Sequence, residues 1–379
     1  MPEHLGLRGR PPPRSARRRL LAVLIVLAGL VILVVAVIGG SAGSSKPPTR
    51  TASSPESGPG PSQTQRHHAA PPPRPPSTYR VGITSLTLVE PAAAAANGRT
   101  ATGAPGRVLL TRVRYPATGR PAGAPVPDAP PDRVHGPFPL VVFSQGFNYP
   151  AEGYAALMDA WARAGYVVAD PTYPRTDPSD LGGVSEEDIH HHPADLRFVI
   201  SRLLAASGAG SGRLGKLIDR SAVAVAGQSD GGDVSLAVAA NTCCRDPRVR
   251  AAVILSGAEL PAFGGRYYGA GSPPLLVVQG DQDTINAPGC SAALYDGAPA
   301  PKYYVGLLGA PHLTPYVGPG PWQAHVERAV RGFLDLYLKR QPGGLLRLHR
   351  AAEAPGVTAL TTSPTLIGQG TYCPPTGIP

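Results

Sequence analysis

Gly227-Gln228-Ser229-Asp230-Gly231, directly behind the apolar run Ser221-Ala222-Val223-Ala224-Val225-Ala226, decides how this chain of 379 residues is read. The run has the length and composition of a buried strand, and Asp230 to Ala240 reads as a helix. A Gly-x-Ser-x-Gly between strand and helix is a sharp turn that lifts the serine hydroxyl off the sheet, within reach of a base. Side chains at 227 and 231 would collide with neighbouring backbone, so glycine is required at both. Gly232 strengthens the pattern. The alternative is a Gly/Ser loop that merely ends a strand.

Upstream, Arg80 to Glu90 alternates (Val81, Ile83, Leu86, Leu88), and so does Arg107 to Tyr115 (Val108, Leu110, Val113), which predicts two antiparallel strands. Pro116 to Pro137 is Pro/Gly-rich and reads as a surface loop. Pro139-Leu140-Val141-Val142-Phe143 is an unbroken apolar run, the mark of a strand covered on both faces. Ala151 to Ala164 reads as an amphipathic helix, Gly165 to Ala169 as a second buried strand, and Glu186 to Ala206 as a long helix with Leu196, Val199, Ile200 and Leu203 on one stripe. Beyond the Ser229 turn come the strands Ala251 to Leu255, Leu275 to Val278 and Tyr303 to Val305, then a helix from Trp322 to Lys339. This alternation predicts an α/β domain over residues 79–340, with a mostly parallel central sheet and helices on both faces. Residues 341–379, rich in Gly, Pro and Thr, are expected to form a loosely ordered tail.

Serine is a weak nucleophile until a base takes its proton, and the base needs an acid to orient it. In the chain order Ser, acid, His, the acid follows Leu275 to Val278, where Gly280-Asp281-Gln282-Asp283 offers two candidates. Asp283 lies one loop turn further over the sheet edge; Asp281 is the alternative, with a turn or a helix cap as its plain role. His312, in Leu308-Gly309-Ala310-Pro311-His312, stands in the bent loop where a base must lie to face Ser229. An oxyanion needs two fixed N–H donors. Asp230, at a helix N-terminus, supplies one, and Phe147, in Ser144-Gln145-Gly146-Phe147, the other. Tyr154, Trp161 and Tyr173 are candidates for the pocket lining or for plain core. His190-His191-His192 points three ways in succession and is expected to be solvated at a helix start rather than to bind metal. No cofactor and no metal is called for.

From 79 to 340 the chain resembles the α/β-hydrolase superfamily, and within it the branch of cutinase-like polyester hydrolases, triacylglycerol lipases and platelet-activating-factor acetylhydrolases. The resemblance rests on Gly-x-Ser-x-Gly-Gly at 227–232, on Asp283-Thr284-Ile285 with Ala287-Pro288, and on Gly309-Ala310-Pro311-His312. It implies a nucleophile at Ser229, the acid at Asp283 rather than Asp281, and the base at His312. Ser144-Gln145-Gly146-Phe147 is similar to the family's oxyanion loop, with Gln145 for the usual histidine. Asp230 replaces the common apolar residue after the serine, which implies a more polar site mouth, and Gln228 replaces the usual His or Trp before it.

Residues 20–38 carry no charged side chain, and with Gly39 and Gly40 they match a hydrocarbon core of about 30 Å. Six arginines precede them, so residues 1–19 are expected in the cytoplasm, 20–40 as a retained signal-anchor, and everything after as extracytoplasmic. A cleaved signal peptide is the alternative and leaves the domain outside as well. Residues 41–78, rich in Ser, Pro, Gly, Thr and basic side chains with almost no large apolar one, read as a disordered tether. Of the net charge of +10, residues 1–19 hold +5 (six Arg against Glu3) and 41–80 hold +4 (five cations against Glu56), leaving +1 for the rest. A nucleic-acid partner is therefore not supported. Four cysteines, Cys243, Cys244, Cys290 and Cys373, permit disulfides outside the cell. Adjacent Cys243 and Cys244 are expected not to pair with each other, because the geometry is strained. The reading is a monomeric, membrane-tethered serine hydrolase of small-molecule or lipid carboxylic esters. The alternatives are an acyltransferase acting on envelope lipid or sugar, and a non-catalytic binding protein on the same fold.

Overall fold

Apolar strands that follow one another through helices can only lie parallel, and the order of elements shows this pairing. In chain order the strands are β1 (Arg80–Glu90), β2 (Arg107–Ala117), β3 (Val126–Pro127), β4 (Phe138–Ser144), β5 (Val167–Thr172), β6 (Ile218–Gln228), β7 (Val249–Leu255), β8 (Leu275–Gly280), β9 (Lys302–Leu307) and β10 (Thr358–Thr361). The helices are α1 (Ala155–Arg163), α2 (His192–Gly208), α3 (Asp230–Ala240), α4 (Pro288–Gly297), α5 (Thr314–Val317), α6 (Gln323–Tyr337) and α7 (Gly343–Ala352). The computed structural model describes residues 78–91 and 106–364. The expected cytoplasmic segment, the span 20–40, the tether up to residue 77 and Cys373 lie outside the described residues. Among the described residues no helix is long and apolar enough to cross a membrane.

The strands form one sheet in the order β10-β9-β8-β7-β6-β4-β5-β2-β1-β3. β5, β4, β6, β7, β8 and β9 run parallel, flanked by antiparallel β2 on one side and β10 on the other. Successive side chains in a strand point to opposite faces. Leu140 and Val142 accordingly join Leu196 and Leu203 of α2 and Val234 of α3. Val141 and Phe143 join Trp161 of α1 and Phe333 of α6 on the other side. The register brings the ends of five strands to one edge: Ser144 pairs with Gly227, Gln228 with Leu255, Leu255 with Val278, and Gly280 with Leu307. The loops carrying Phe147, Ser229, Asp283 and His312 all leave from that edge.

Several expectations are corrected. The stretch after residue 340 is not a loose tail as far as it is described: α7 packs on α6, and β10 pairs with β9 from Thr358↔Leu307 to Thr361↔Tyr304. Gly344, one of the glycines that suggested disorder, packs closely against Gly332 of α6 instead. A Cβ on Gly332 would lie 2.5 Å from Leu348 N, and one on Gly344 2.6 Å from Gly332 O, so the two helix backbones touch. Leu348 is wholly buried in the second core. Leu348→Ala is therefore expected to cost about 2–5 kcal/mol; denaturant unfolding measures it, and a loss no larger than that of a surface substitution would contradict the packing.

Cys243 and Cys244 are bonded to each other, against expectation. They sit in the turn after α3, where Cys243 N–H donates to Asn241 Oδ1 (2.9 Å) and Asn241 Nδ2 donates to Gly264 O (2.9 Å). The chain reverses there instead of extending, which puts neighbouring sulfurs on one side. Cys290 is disulfide-bonded as well. The helix expected over 186–206 is split into a 3-10 turn, Glu186–His191, and α2. His192 is buried rather than solvated: it stacks on Tyr173 with ring centres 4.5 Å apart, and its Nε2 lies 3.2 Å from Asp188 Oδ2 and 3.3 Å from Thr176 Oγ1. The loop 116–137 contains the short β3, which pairs with β1.

Candidate active site

Ser229 closes β6 and opens α3. Its backbone has φ 55° and ψ −129°, a conformation that costs a non-glycine residue on the order of 1–3 kcal/mol. The surrounding bonds hold it there. Ser229 N–H donates to Leu255 O (3.0 Å), and Ser229 O accepts from Gly232 N (2.7 Å) and Asp233 N (3.0 Å). A Cβ on Gly227 would stand 2.0 Å from Gly231 O, and one on Gly231 would stand 2.1 Å from Ser144 O. The turn is thus pressed against the end of β4 and against the loop that follows it.

The acid and base meet. His312 Nδ1 lies 2.8 Å from Asp283 Oδ2. The same oxygen accepts from Gln279 Nε2 (2.9 Å), and Oδ1 accepts from the N–H groups of Ile285 and Asn286, both at 2.9 Å. A carboxylate with that many donors is held as an acceptor and fixes the ring with its proton on Nδ1. Asp281 does not reach His312; it accepts from Gly309 N–H at 2.7 Å and so shapes the base loop. Ser229 and His312 are not hydrogen-bonded to each other. The ring nitrogen that would take the serine proton, Nε2, faces Gln228 Nε2 at 3.2 Å, one residue from Ser229. Such contacts are often open in a free site and tighten with substrate.

The N–H groups of Phe147 and Asp230 have no acceptor in any other described residue. The loop bearing Phe147 lies on the Ser229 turn, since a Cβ on Gly146 would stand 2.7 Å from Gln228 Oε1 and 3.3 Å from Gln228 O. Gln145 is buried with both amide atoms unpartnered. A cleft of about 1180 Å³ lies elsewhere, at the opposite ends of the strands by Pro139, Ala222, Arg331 and Arg347.

Asp230 itself is buried, and its Oδ2 has no partner. Burial first, and then the charge of Glu186, push its carboxyl up to about 7, against the pull of His312 and of its own N–H. Asp233 behind it is raised well above the carboxylate range by burial and by Asp230. Between pH 4 and 7 the folded chain therefore keeps a proton at Asp230 that the unfolded chain has released, and stability falls as pH rises through this window. Asp230→Asn is expected to flatten that part of the curve, raising Tm at pH 8 and leaving it unchanged at pH 4. Thermal melts of both proteins at the two pH values measure this; equal shifts at both would contradict it.

The chain has the α/β-hydrolase fold. It is similar to the ferulic acid esterase from Streptomyces cinnamoneus, with 23% identity and a TM-score of 0.51, over 73% of this chain and 94% of that one. At that identity the likeness is one of fold. No family model and no curated protein matches the sequence.

One residue about the site, Gln279, escaped the sequence reading, and two, Gln228 and Tyr154, were named there without the contacts they make. Gln279 ends β8 and binds Asp283, Asn286 O (3.1 Å) and, through Oε1, Ser291 Oγ (2.7 Å). Gln228 ends β6, and Tyr154, left open between pocket and core, donates to it. Each glutamine is a buried amide closing an otherwise apolar strand, and that break in pattern was the available signal.

Proposed function

We propose that this chain is a serine hydrolase of carboxylic esters. The pairing of Asp283 with His312 beside the strained Ser229 turn carries the reading. In this mechanism His312 Nε2 takes the Ser229 proton as Oγ attacks the acyl carbonyl. Asp283 holds the imidazolium that forms. The N–H groups of Phe147 and Asp230 hold the oxyanion, each such donor contributing roughly 3–4 kcal/mol to lowering the barrier. His312 then gives the proton to the leaving alcohol, and water, activated by the same ring, releases the acid from Ser229. Asp230 modulates this: ionised, it sets a negative charge beside the N–H that holds the oxyanion; protonated, it does not.

The apolar residues 20–38 behind six arginines support tethering of the enzyme to a membrane, with its domain outside the cytoplasm. The experiment is to treat the full chain with a fluorophosphonate and locate the adduct by peptide mass spectrometry, alongside hydrolysis of nitrophenyl esters of graded chain length and of a ferulate ester. An adduct on Ser229 and turnover of at least one ester are expected. A chain that neither reacts at Ser229 nor hydrolyses any ester removes the proposal.

A further inference from the structure

Gln228 occupies the point where the three loops of the site meet. Its side chain is buried, and every polar atom is placed by a neighbour. Gly146 N–H donates to the Tyr154 hydroxyl oxygen (3.4 Å), so the Tyr154 proton is free to go to Gln228 Oε1, 2.6 Å away. Burial raises the Tyr154 hydroxyl well above its ordinary range, and it remains a donor. Gln228 Nε2 donates to the carbonyl oxygen of His312 (3.2 Å) and lies 3.2 Å from His312 Nε2. A carbonyl only accepts, and Tyr154 is committed as a donor, so the amide has one orientation consistent with all its neighbours. With Asp283 on Nδ1, the ring presents a lone pair at Nε2, and the amide N–H meets that lone pair.

We propose that Gln228 is a positioning residue for the base: through Tyr154 it ties the oxyanion loop to the base loop, and its amide N–H groups hold His312 with the Nε2 lone pair turned toward the Ser229 turn. This rests on the hydrolase reading above and adds to it a device for keeping the base in register before substrate arrives. When an ester binds and Ser229 Oγ approaches Nε2, the bond to the His312 carbonyl still anchors the loop, and only the contact to Nε2 is exchanged. No atom is transferred to or from Gln228.

Two variants separate positioning from packing. Gln228→Leu keeps the bulk and removes the donors. Gln228→Glu keeps the shape and an oxygen for Tyr154 but turns an acceptor toward the ring. A positioning role predicts that Gln228→Leu loses roughly tenfold in kcat, the size of one hydrogen bond, with KM unchanged, and that Gln228→Glu loses more than Gln228→Leu. Packing alone predicts the reverse order, since Glu is the closer isostere. Tyr154→Phe, which does not touch His312, is expected to lower kcat in the same way, and serves if Gln228→Glu fails to fold.

A second readout needs no turnover. In the histidine-labelled full chain, the ¹⁵N resonances of His312, assigned by their loss in His312→Gln, are expected to show a protonated Nδ1 and a lone pair on Nε2. In Gln228→Glu, Nε2 is expected to carry a proton. An unchanged His312 signature in Gln228→Glu, or kcat equal to that of the native chain in Gln228→Leu, overturns the inference. A native chain without esterase activity but with the expected signatures would overturn the hydrolase reading and leave the role of Gln228 standing.

Discussion

Ser229→Ala is expected to abolish ester hydrolysis, with kcat falling on the order of 10⁵–10⁶-fold and no fluorophosphonate adduct anywhere in the chain. The size follows from the kind of group removed. Without Oγ there is no acyl-enzyme, and only the pre-set donors at Phe147 and Asp230 remain to favour attack by water, an effect worth roughly 10³–10⁴ over the uncatalysed reaction. The fold should not suffer, because Ser229 holds its neighbours through backbone atoms: its N–H to Leu255 O and its O to Gly232 N and Asp233 N. Alanine also tolerates the positive φ no worse than serine does, both carrying a Cβ. His312→Ala should lose about as much as Ser229→Ala, and the double variant little more, since the two act as one unit. Hydrolysis that persists in purified Ser229→Ala would place the chemistry elsewhere.

Gly231→Ala should have a large effect on the fold as well as on the rate. Its Cβ would fall 2.1 Å from Ser144 O, 2.4 Å from Ser144 C and 2.5 Å from Gln145 O, all backbone atoms of the end of β4 and the loop after it. No rotamer change relieves a clash with backbone, so either α3 or the end of β4 must move by about an ångström. Overpacking of that kind costs at or beyond about 3 kcal/mol. It also displaces the N–H of Phe147, which the proposed mechanism places at the oxyanion, and a misplacement of this size is expected to cost on the order of 10²-fold in rate. Thermal unfolding and kcat measured together test the claim. Gly123→Ala is the control, since a Cβ there meets nothing within 4 Å. Equal behaviour of the two variants would show that the Ser229 turn is not held against the end of β4.

The apolar runs and the Gly-x-Ser-x-Gly pattern were enough for the buried strands of a mostly parallel sheet and for the placing of Ser229, because both are local: burial on two faces leaves an unbroken apolar run, and a turn that tight admits only glycine at 227 and 231. Asp283 and His312 were legible as candidates for a related reason, each standing just past a buried strand. Of Asp281 and Asp283, Asp283 was favoured for standing one loop turn further over the sheet edge, and it is the one that meets the ring. The difference is made by Gln279, Ile285 and Asn286, whose donors gather at Asp283. Residues 343–361 misled for a different reason. Gly344 looks like a loop residue in isolation and becomes a packing residue only when its helix meets Gly332 of α6.

By itself the sequence determined the α/β order of elements, the strained serine turn and the short set of titratable groups able to serve it, because these follow from burial patterns and backbone sterics within a few residues. Only the tertiary structure decided that Gln228 and Tyr154 join the loop of His312 to the loop of Gly146, that Cys243 bonds Cys244, that α7 packs on α6 and that β10 extends the sheet. Apart from that pair of neighbouring cysteines, these contacts join segments brought together by the closing of the sheet, and the composition of either segment alone carries no record of the other.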